Sequence, residues 1–153
     1  MHLQIVKKLF IFSLLFSIFV CTNVNSQEKF LSLKKSKVNV RYGPGFDYEV
    51  KYIYRKINLP VKIIDKKENF RKIIDIKQNS GWIHISQLKK SKSFIAKEDK
   101  ILFKNPSLFS KPIAKIQKGR LLLFRKCQKN WCKVKTANYT GWLETKNIWG
   151  KVN

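Results

Sequence analysis

Apolar residues recur along the chain in short runs that are rich in β-branched and aromatic side chains. Residues 59–64 and 70–74 form one pair of runs, and residues 121–125 and 131–134 form a second pair. Each pair is separated by a short polar segment. This arrangement is typical of strands that are joined by turns. The pattern therefore predicts an all-β protein.

The polar segments between the runs predict turns at residues 65–69 and 128–130. The sequence lacks an apolar pattern of helical period that is long enough for a stable helix. Residues 85–88 and 145–148 are each long enough for a single short 3-10 turn. Helices should therefore contribute almost nothing to this fold.

The chain contains the same unit twice. The matching positions, first copy and then second, are Pro44 and Pro106, Val50 and Ile113, Phe70 and Trp131, and Gly81-Trp82 and Gly141-Trp142. Two copies are too few for a solenoid, so each copy must close on itself. A closed unit of roughly 50 residues predicts a small five-stranded barrel.

The first copy resembles the bacterial SH3-like domain. Residues 38–50 give the asparagine-valine-arginine opening and the Gly-Pro turn, and Gly81-Trp82 gives the late Gly-Trp pair. The resemblance implies two SH3-like barrels in tandem, at residues 34–90 and 94–150, as in exported proteins of proteobacteria. The second copy is degenerate, because Ile101-Leu102-Phe103 replaces the opening.

The N-terminus predicts export through a cleavable signal peptide at residues 1–26. Two lysines precede the uncharged, mostly apolar run 9–20, and Val24 and Ser26 suit a cut before Gln27. The run is short for a membrane-spanning helix, which needs about 20 apolar residues. A retained anchor and lipidation of Cys21 are the alternatives. Export implies a periplasmic or envelope-associated protein.

The mature chain is strongly basic. Removing Lys7 and Lys8 from the 33 basic residues leaves 31 against 9 acidic residues, a formal charge of +22. Such a charge attracts anionic polymers or membrane surfaces. The alternative is a solvated lysine-rich surface without a specific partner. We expect no specific role in nucleic-acid binding.

Cysteine usage agrees with export, because Cys127 and Cys132 remain as an even pair in the mature chain. They flank a predicted hairpin turn, and an exported protein permits a disulfide there. His84 is the only histidine of the mature chain. A metal site and a cofactor are not expected, because zinc prefers four ligands from Cys, His or carboxylate. His84 is interpreted as structural.

The candidate ligand-binding residues surround the Gly-Pro turn of the first copy: Arg41, Tyr42, Phe46, Tyr48, Tyr52 and Tyr54. Aromatic rings with polar tips suit peptide or sugar ligands. Alternatively, these rings fill the core or pack between the copies. Arg41 either pairs with Asp47 or faces an anionic ligand. Trp82 and Trp142 are expected in the cores.

These observations predict a protein that binds without catalysis, since no Ser-His-Asp set or reactive cysteine can be assembled from the mature chain. The resemblance implies a scaffold of the cell envelope that recognises cell-wall peptides or envelope proteins. The alternative is a lysine-driven binder of anionic polymers or membrane surfaces. Binding that is lost steeply with added salt would favour the alternative.

Overall fold

A computed structural model describes residues 29–136 and 138–150 of the protein. The predicted signal peptide lies outside the described residues. The first of two antiparallel sheets contains the strands β1 Phe30–Leu33, β2 Val38–Arg41, β3 Val50–Tyr54, β4 Pro60–Lys67, β5 Phe70–Ile74, β6 Ser80–His84 and β7 Leu88–Lys90. The second contains β8 Ser93–Ala96, β9 Lys100–Phe103, β10 Pro112–Ile116, β11 Leu121–Gln128, β12 Trp131–Thr136, β13 Tyr139–Glu144 and β14 Ile148–Trp149.

The two sheets have the same topology, which confirms the internal repeat. Their strand orders are β3-β2-β6-β5-β4-β1-β7 and β10-β9-β13-β12-β11-β8-β14. We call these units the first barrel and the second barrel. The prediction of five strands was wrong, because each sheet has seven. The sequence pattern missed β1 because this strand precedes the repeated motif. It missed β7 and β14 because strands this short do not show an alternation of period two.

The hairpin turns are tighter than predicted. Strand β4 continues to Lys67, so only Glu68 and Asn69 form its turn, and Lys129 and Asn130 form the equivalent turn after β11. Glu68 and Lys129 adopt φ angles of 46° and 49°, which let a two-residue loop reverse the chain. The predicted 3-10 turn is present at Ile85–Gln87. The corresponding segment of the second barrel forms a plain turn before β14.

Each barrel has its own hydrophobic core, and strand β8 lies between the two. All four residues of β8 are buried. Phe94 belongs to the core of the second barrel, whereas Ile95 packs in the core of the first. Neighbouring residues of a strand point to opposite faces, so one strand can serve both cores. A continuous apolar run is the expected signature of a strand that is buried on both sides.

Further contacts fix the second barrel to the first. The Trp149 indole N–H donates to the Pro60 carbonyl at 3.1 Å, and the Trp149 ring lies edge-on to Phe30, with centroids 5.3 Å apart. Leu121 and Trp149 of the second barrel also pack against the first core. The two barrels therefore share an apolar interface.

A buried chain of hydroxyl groups completes this interface. The Ser32 Oγ lies 2.9 Å from the Ser91 Oγ and 2.8 Å from the Ser93 Oγ. The Ser93 hydroxyl donates to the Asn58 carbonyl at 2.6 Å. Buried polar groups need such partners, since an unsatisfied group costs about 1–3 kcal/mol. The described barrels therefore form one packed unit.

The disulfide predicted between Cys127 and Cys132 is present. The two residues face each other directly across the β11–β12 hairpin, with Cα atoms 4.1 Å apart. The bond closes the hairpin that carries Trp131 next to Cys132. Among residues 29–136 and 138–150, no helix is long and apolar enough to cross a bilayer.

Candidate functional site

The candidate site lies on the outer face of three neighbouring strands of the first barrel. Strand β6 places Trp82 opposite both Arg41 of β2 and Lys72 of β5. The next outward residue of β6, His84, is opposite Phe70. The inward residue between them, Ile83, is fully buried in the core. Alternation along β6 thus sends Trp82 and His84 away from the core.

The loop at residues 42–49 folds onto this outer face. Its Phe46 ring contacts Phe70 edge-on, with ring centroids 5.2 Å apart, and lies 5.1 Å from the His84 ring. Phe70 is only 6% exposed although it lies outside the core cluster. Phe46 and His84 therefore shield Phe70, and these aromatic contacts fix the position of the loop.

Arg41 holds the other side of the loop. Its Nη1 donates to the Tyr48 carbonyl at 2.6 Å, and its guanidinium lies 5.6 Å from the Phe46 ring centroid. The alternative in which Arg41 pairs with Asp47 was wrong, because the guanidinium bonds the loop backbone instead. A cation over an aromatic ring is a favourable contact. Arg41 therefore positions both Phe46 and Tyr48.

Gly43 is required by a close approach of the Tyr48 ring. A Cβ at Gly43 would collide with that ring. A positive φ does not explain this glycine, because the described positive-φ glycines are Gly119 and Gly150. Close packing of a ring on the backbone explains Gly43 instead.

Three rings of the loop are left open to solvent. Tyr42 is 63% exposed, Phe46 is 65% exposed and Tyr48 is 44% exposed. The Lys51 ammonium lies 5.6 Å from the Tyr42 ring centroid. We call the set formed by Arg41, Tyr42, Phe46, Tyr48 and His84 the aromatic surface.

Tyr52 and Tyr54 do not belong to this surface, contrary to the sequence-based grouping. They lie opposite Val40 and Val38 in the sheet, so they share the core face of β3. Both are half-buried and pack against the first core. The alternation of β3 places them on the opposite side from the loop rings.

The two tyrosines form a polar network at the edge of the core. The Tyr54 hydroxyl donates to Asp75 Oδ2 at 2.9 Å and lies 3.4 Å from the Tyr52 hydroxyl. Asp75 also accepts hydrogen bonds from the Asn79 backbone and side chain. Burial, together with hydrogen bonds to Tyr52 and Asp75, raises the pKa of Tyr54 well above the ordinary value of about 10. The role of this pair is structural.

His84 is held in one orientation by the residues that follow it. The Ser86 backbone N–H donates to His84 Nδ1 at 3.3 Å, and the Ser86 hydroxyl lies 2.7 Å from the same atom. Since Nδ1 accepts, the neutral ring carries its proton on Nε2. The structure therefore places His84 in the aromatic surface, a position that the sequence analysis did not predict.

Phe70 and Trp82 were also missed as parts of the site. Both tryptophans were expected in the cores. Trp82 is half-buried on the outer face, and Trp142 is buried at 8% exposure but lies outside the core cluster of the second barrel. The one sequence signal for these outer-face aromatic residues was the alignment of Phe70 with Trp131 in the two copies of the repeat. Both residues are aromatic and both lie opposite the last residue of the following strand.

The second barrel has different chemistry at the equivalent places. Register equates Phe103 with Arg41, because both lie opposite the Gly-Trp tryptophan, and it equates Glu144 with His84. Phe103 contacts Trp131 edge-on, with centroids 5.8 Å apart. The second barrel thus keeps an aromatic pair here but has no basic group at either position.

Two acidic residues of the second barrel, Glu98 and Asp99, have hydrogen-bond partners within the chain. Glu98 accepts hydrogen bonds from Asn147 and Lys100, which lower the pKa of its carboxyl. Asp99 accepts from the Lys118 backbone, and this bond lowers its pKa too. In the part of the chain that the structure describes, no group of three or more His, Cys, Asp or Glu could hold a metal ion.

The fold defines a tandem of small SH3-like barrels, and comparison with known families agrees. The family model described as "Bacterial SH3 domain" matches residues 34–90 and 96–150. The chain therefore belongs to the bacterial SH3 domain family, with two copies of the domain, as the resemblance implied. A search of curated proteins found no significant match.

Two solved structures from Trichomonas vaginalis resemble the fold at low sequence identity. NlpC2 is 13% identical with a TM-score of 0.38, and the match covers 81% of this chain and 48% of that one. NlpC1 is 12% identical with a TM-score of 0.37, covering 85% of this chain and 48% of that one. The chain spans about half the length of these two structures.

Proposed function

We propose that the protein is a binding or scaffold module of the cell envelope that recognises cell-wall peptide or an envelope protein. The aromatic surface of the first barrel makes the contact. The observation that carries this proposal is the loop with three solvent-exposed rings, Tyr42, Phe46 and Tyr48, held in place on a rigid sheet.

The order of the loop is what favours binding. Apolar rings that face water cost free energy unless a partner covers them, so exposed patches often mark interaction sites. Here Arg41, Gly43 and Phe70 fix the loop before a ligand arrives. A preformed site loses less conformational entropy on binding than a flexible one. Rings with polar tips also suit a peptide backbone.

The location in the envelope rests on three features. The N-terminal sequence predicts export, the Cys127–Cys132 disulfide suits an oxidising compartment, and the family is bacterial. We propose a periplasmic or envelope-associated protein. We also propose that it acts without catalysis. Purified mature protein incubated with sacculi should release no soluble fragments, and release that persists in highly purified samples would contradict this.

Co-sedimentation with purified bacterial peptidoglycan sacculi tests the proposed function. The wild-type protein should sediment with sacculi, and Phe46→Ala should reduce the bound fraction because it removes the central exposed ring. Phe109→Ala is the matched control, since this phenylalanine of the second barrel is fully exposed. Equal loss from both substitutions, or no binding by wild type, would contradict the assignment.

The charge of the chain supports a second candidate function. The whole sequence carries a formal net charge of +24. A lysine-driven binder of anionic polymers or membrane surfaces should lose affinity steeply as salt is added. Ring-dependent binding should resist salt and depend on Phe46. Repeating the co-sedimentation at low and high salt separates the two.

A further inference from the structure

We propose that the aromatic surface selects a ligand with a free carboxylate next to an apolar group, bound by Arg41 and His84 beside Phe46. This inference rests on the proposed function and names the ligand chemistry of the same site. Three features of the first barrel carry it, and the second barrel lacks each of them.

The first feature is the spare hydrogen-bonding capacity of Arg41. A guanidinium has five N–H donors, and the structure uses one nitrogen, Nη1, for the Tyr48 carbonyl. Among the described residues, Arg41 has no carboxylate partner. Asp47 lies on the same loop, but its carboxylate packs against Gly45. Glu49 is exposed at the end of the loop. The Arg41 guanidinium is therefore a half-buried cation that has no anionic partner among the described residues.

The second feature is the orientation of His84. Because Ser86 occupies Nδ1, the remaining ring nitrogen, Nε2, is a donor in the neutral ring. No hydrogen bond within the described residues engages Nε2. His84 therefore offers a second N–H group close to Phe46.

The third feature is the position of Phe46 next to both donors. The Arg41 guanidinium lies 5.6 Å from the Phe46 ring centroid, and the His84 ring lies 5.1 Å from it. A ligand that rests on this exposed ring is close to both groups. An apolar side chain suits the ring, and an adjacent carboxylate suits the donors, since charge-assisted hydrogen bonds are the stronger kind. A peptide with an apolar C-terminal residue has this combination.

The second barrel provides an internal contrast. Register places Phe103 where the first barrel has Arg41 and Glu144 where it has His84. Both donors are thereby lost, and a negative group is gained. The two barrels share the fold and the aromatic pair, so carboxylate selection should belong to the first barrel alone.

The probe is a pair of peptides that differ in one group: N-acetyl-Ala-Ala with a free C-terminal carboxylate, and the same peptide as its C-terminal amide. Each is titrated into the isotopically labelled mature protein, and the amide signals of Phe46 and His84 are followed by NMR. We expect the carboxylate to bind about tenfold or more tightly than the amide.

Variants test the residues. Arg41→Phe combined with His84→Glu gives the first barrel the groups of the second, and it should abolish the preference for the carboxylate. Arg41→Lys keeps the charge but loses the planar fork, so a reduced preference should remain. Glu144→Gln in the second barrel should change nothing. Unchanged unfolding temperatures show that the variants are folded.

Equal affinity for the two peptides, or binding of neither, overturns the inference. If sacculi still bind in a Phe46-dependent manner in that case, the proposed function stands and only the carboxylate selection fails. If sacculi do not bind while the carboxylate preference holds, the proposed cell-wall ligand is wrong and the site chemistry stands.

Discussion

Replacing Ile95 by alanine tests whether the two barrels fold as one unit. Ile95 lies on β8 of the second barrel and is 4% exposed, yet it packs in the core of the first. Truncating a buried isoleucine removes its burial energy and leaves a cavity, which costs about 3 kcal/mol. An unfolding entropy of about 0.25 kcal/mol/K for roughly 120 ordered residues converts this into a fall of roughly 12 °C in Tm.

Thermal and denaturant unfolding, followed by circular dichroism and by tryptophan fluorescence, measure the effect. The shared core predicts a single transition for wild type and variant, coincident by both probes. Ile101→Ala is the matched control, because Ile101 is 40% exposed on β9, the next strand along the chain, and its loss should cost less than about 0.5 kcal/mol. Two separate transitions, or an Ile95→Ala cost as small as that of Ile101→Ala, would refute the reasoning.

Three further predictions concern the disulfide, the half-buried Tyr54 and the N-terminus. The Cys127–Cys132 bond joins two residues with a sequence separation of 5. Its reduction should lower the free energy of unfolding by about 2 kcal/mol, measured by denaturation with and without reductant. The raised pKa of Tyr54 means that folding favours the neutral form of its side chain. The stability that the neutral side chain contributes is therefore fully present below about pH 10 and is lost as the pH rises further. Phenolate absorbance during an alkaline titration should show a late phase that shrinks in Tyr54→Phe. Mass spectrometry of the exported protein should find Gln27 at its N-terminus, and an intact Met1 or a lipidated Cys21 would contradict the predicted cleavage.

Local sequence signals predicted the features that depend on neighbouring residues. The hairpin strands, the Gly-Trp repeats and the Cys127–Cys132 bridge all follow from turn chemistry and alternation over a few positions. The burial of Trp142 was also predicted. The resemblance at residues 38–50 was specific enough to give the family.

Features that depend on distant contacts could not be predicted in this way. Alternation shows that Tyr52 and Tyr54 share a face, but it does not show which face is buried until the partner strand is known. Likewise, the contact of Phe46 with His84 depends on how an eight-residue loop folds back over the sheet. Strand β8 was not singled out from the sequence, and only the structure shows that its Ile95 enters the other barrel's core.

NMR mapping of soluble muropeptides onto the labelled mature protein tests the central claim most directly. Muropeptides released from sacculi are titrated in at a salt concentration high enough to screen nonspecific lysine contacts. The account predicts that the largest shifts fall on Tyr42, Phe46, Tyr48 and His84, with the equivalent positions of the second barrel unchanged. Largest shifts at Leu108 and Phe109 of the second barrel, or shifts that vanish with salt, would contradict it.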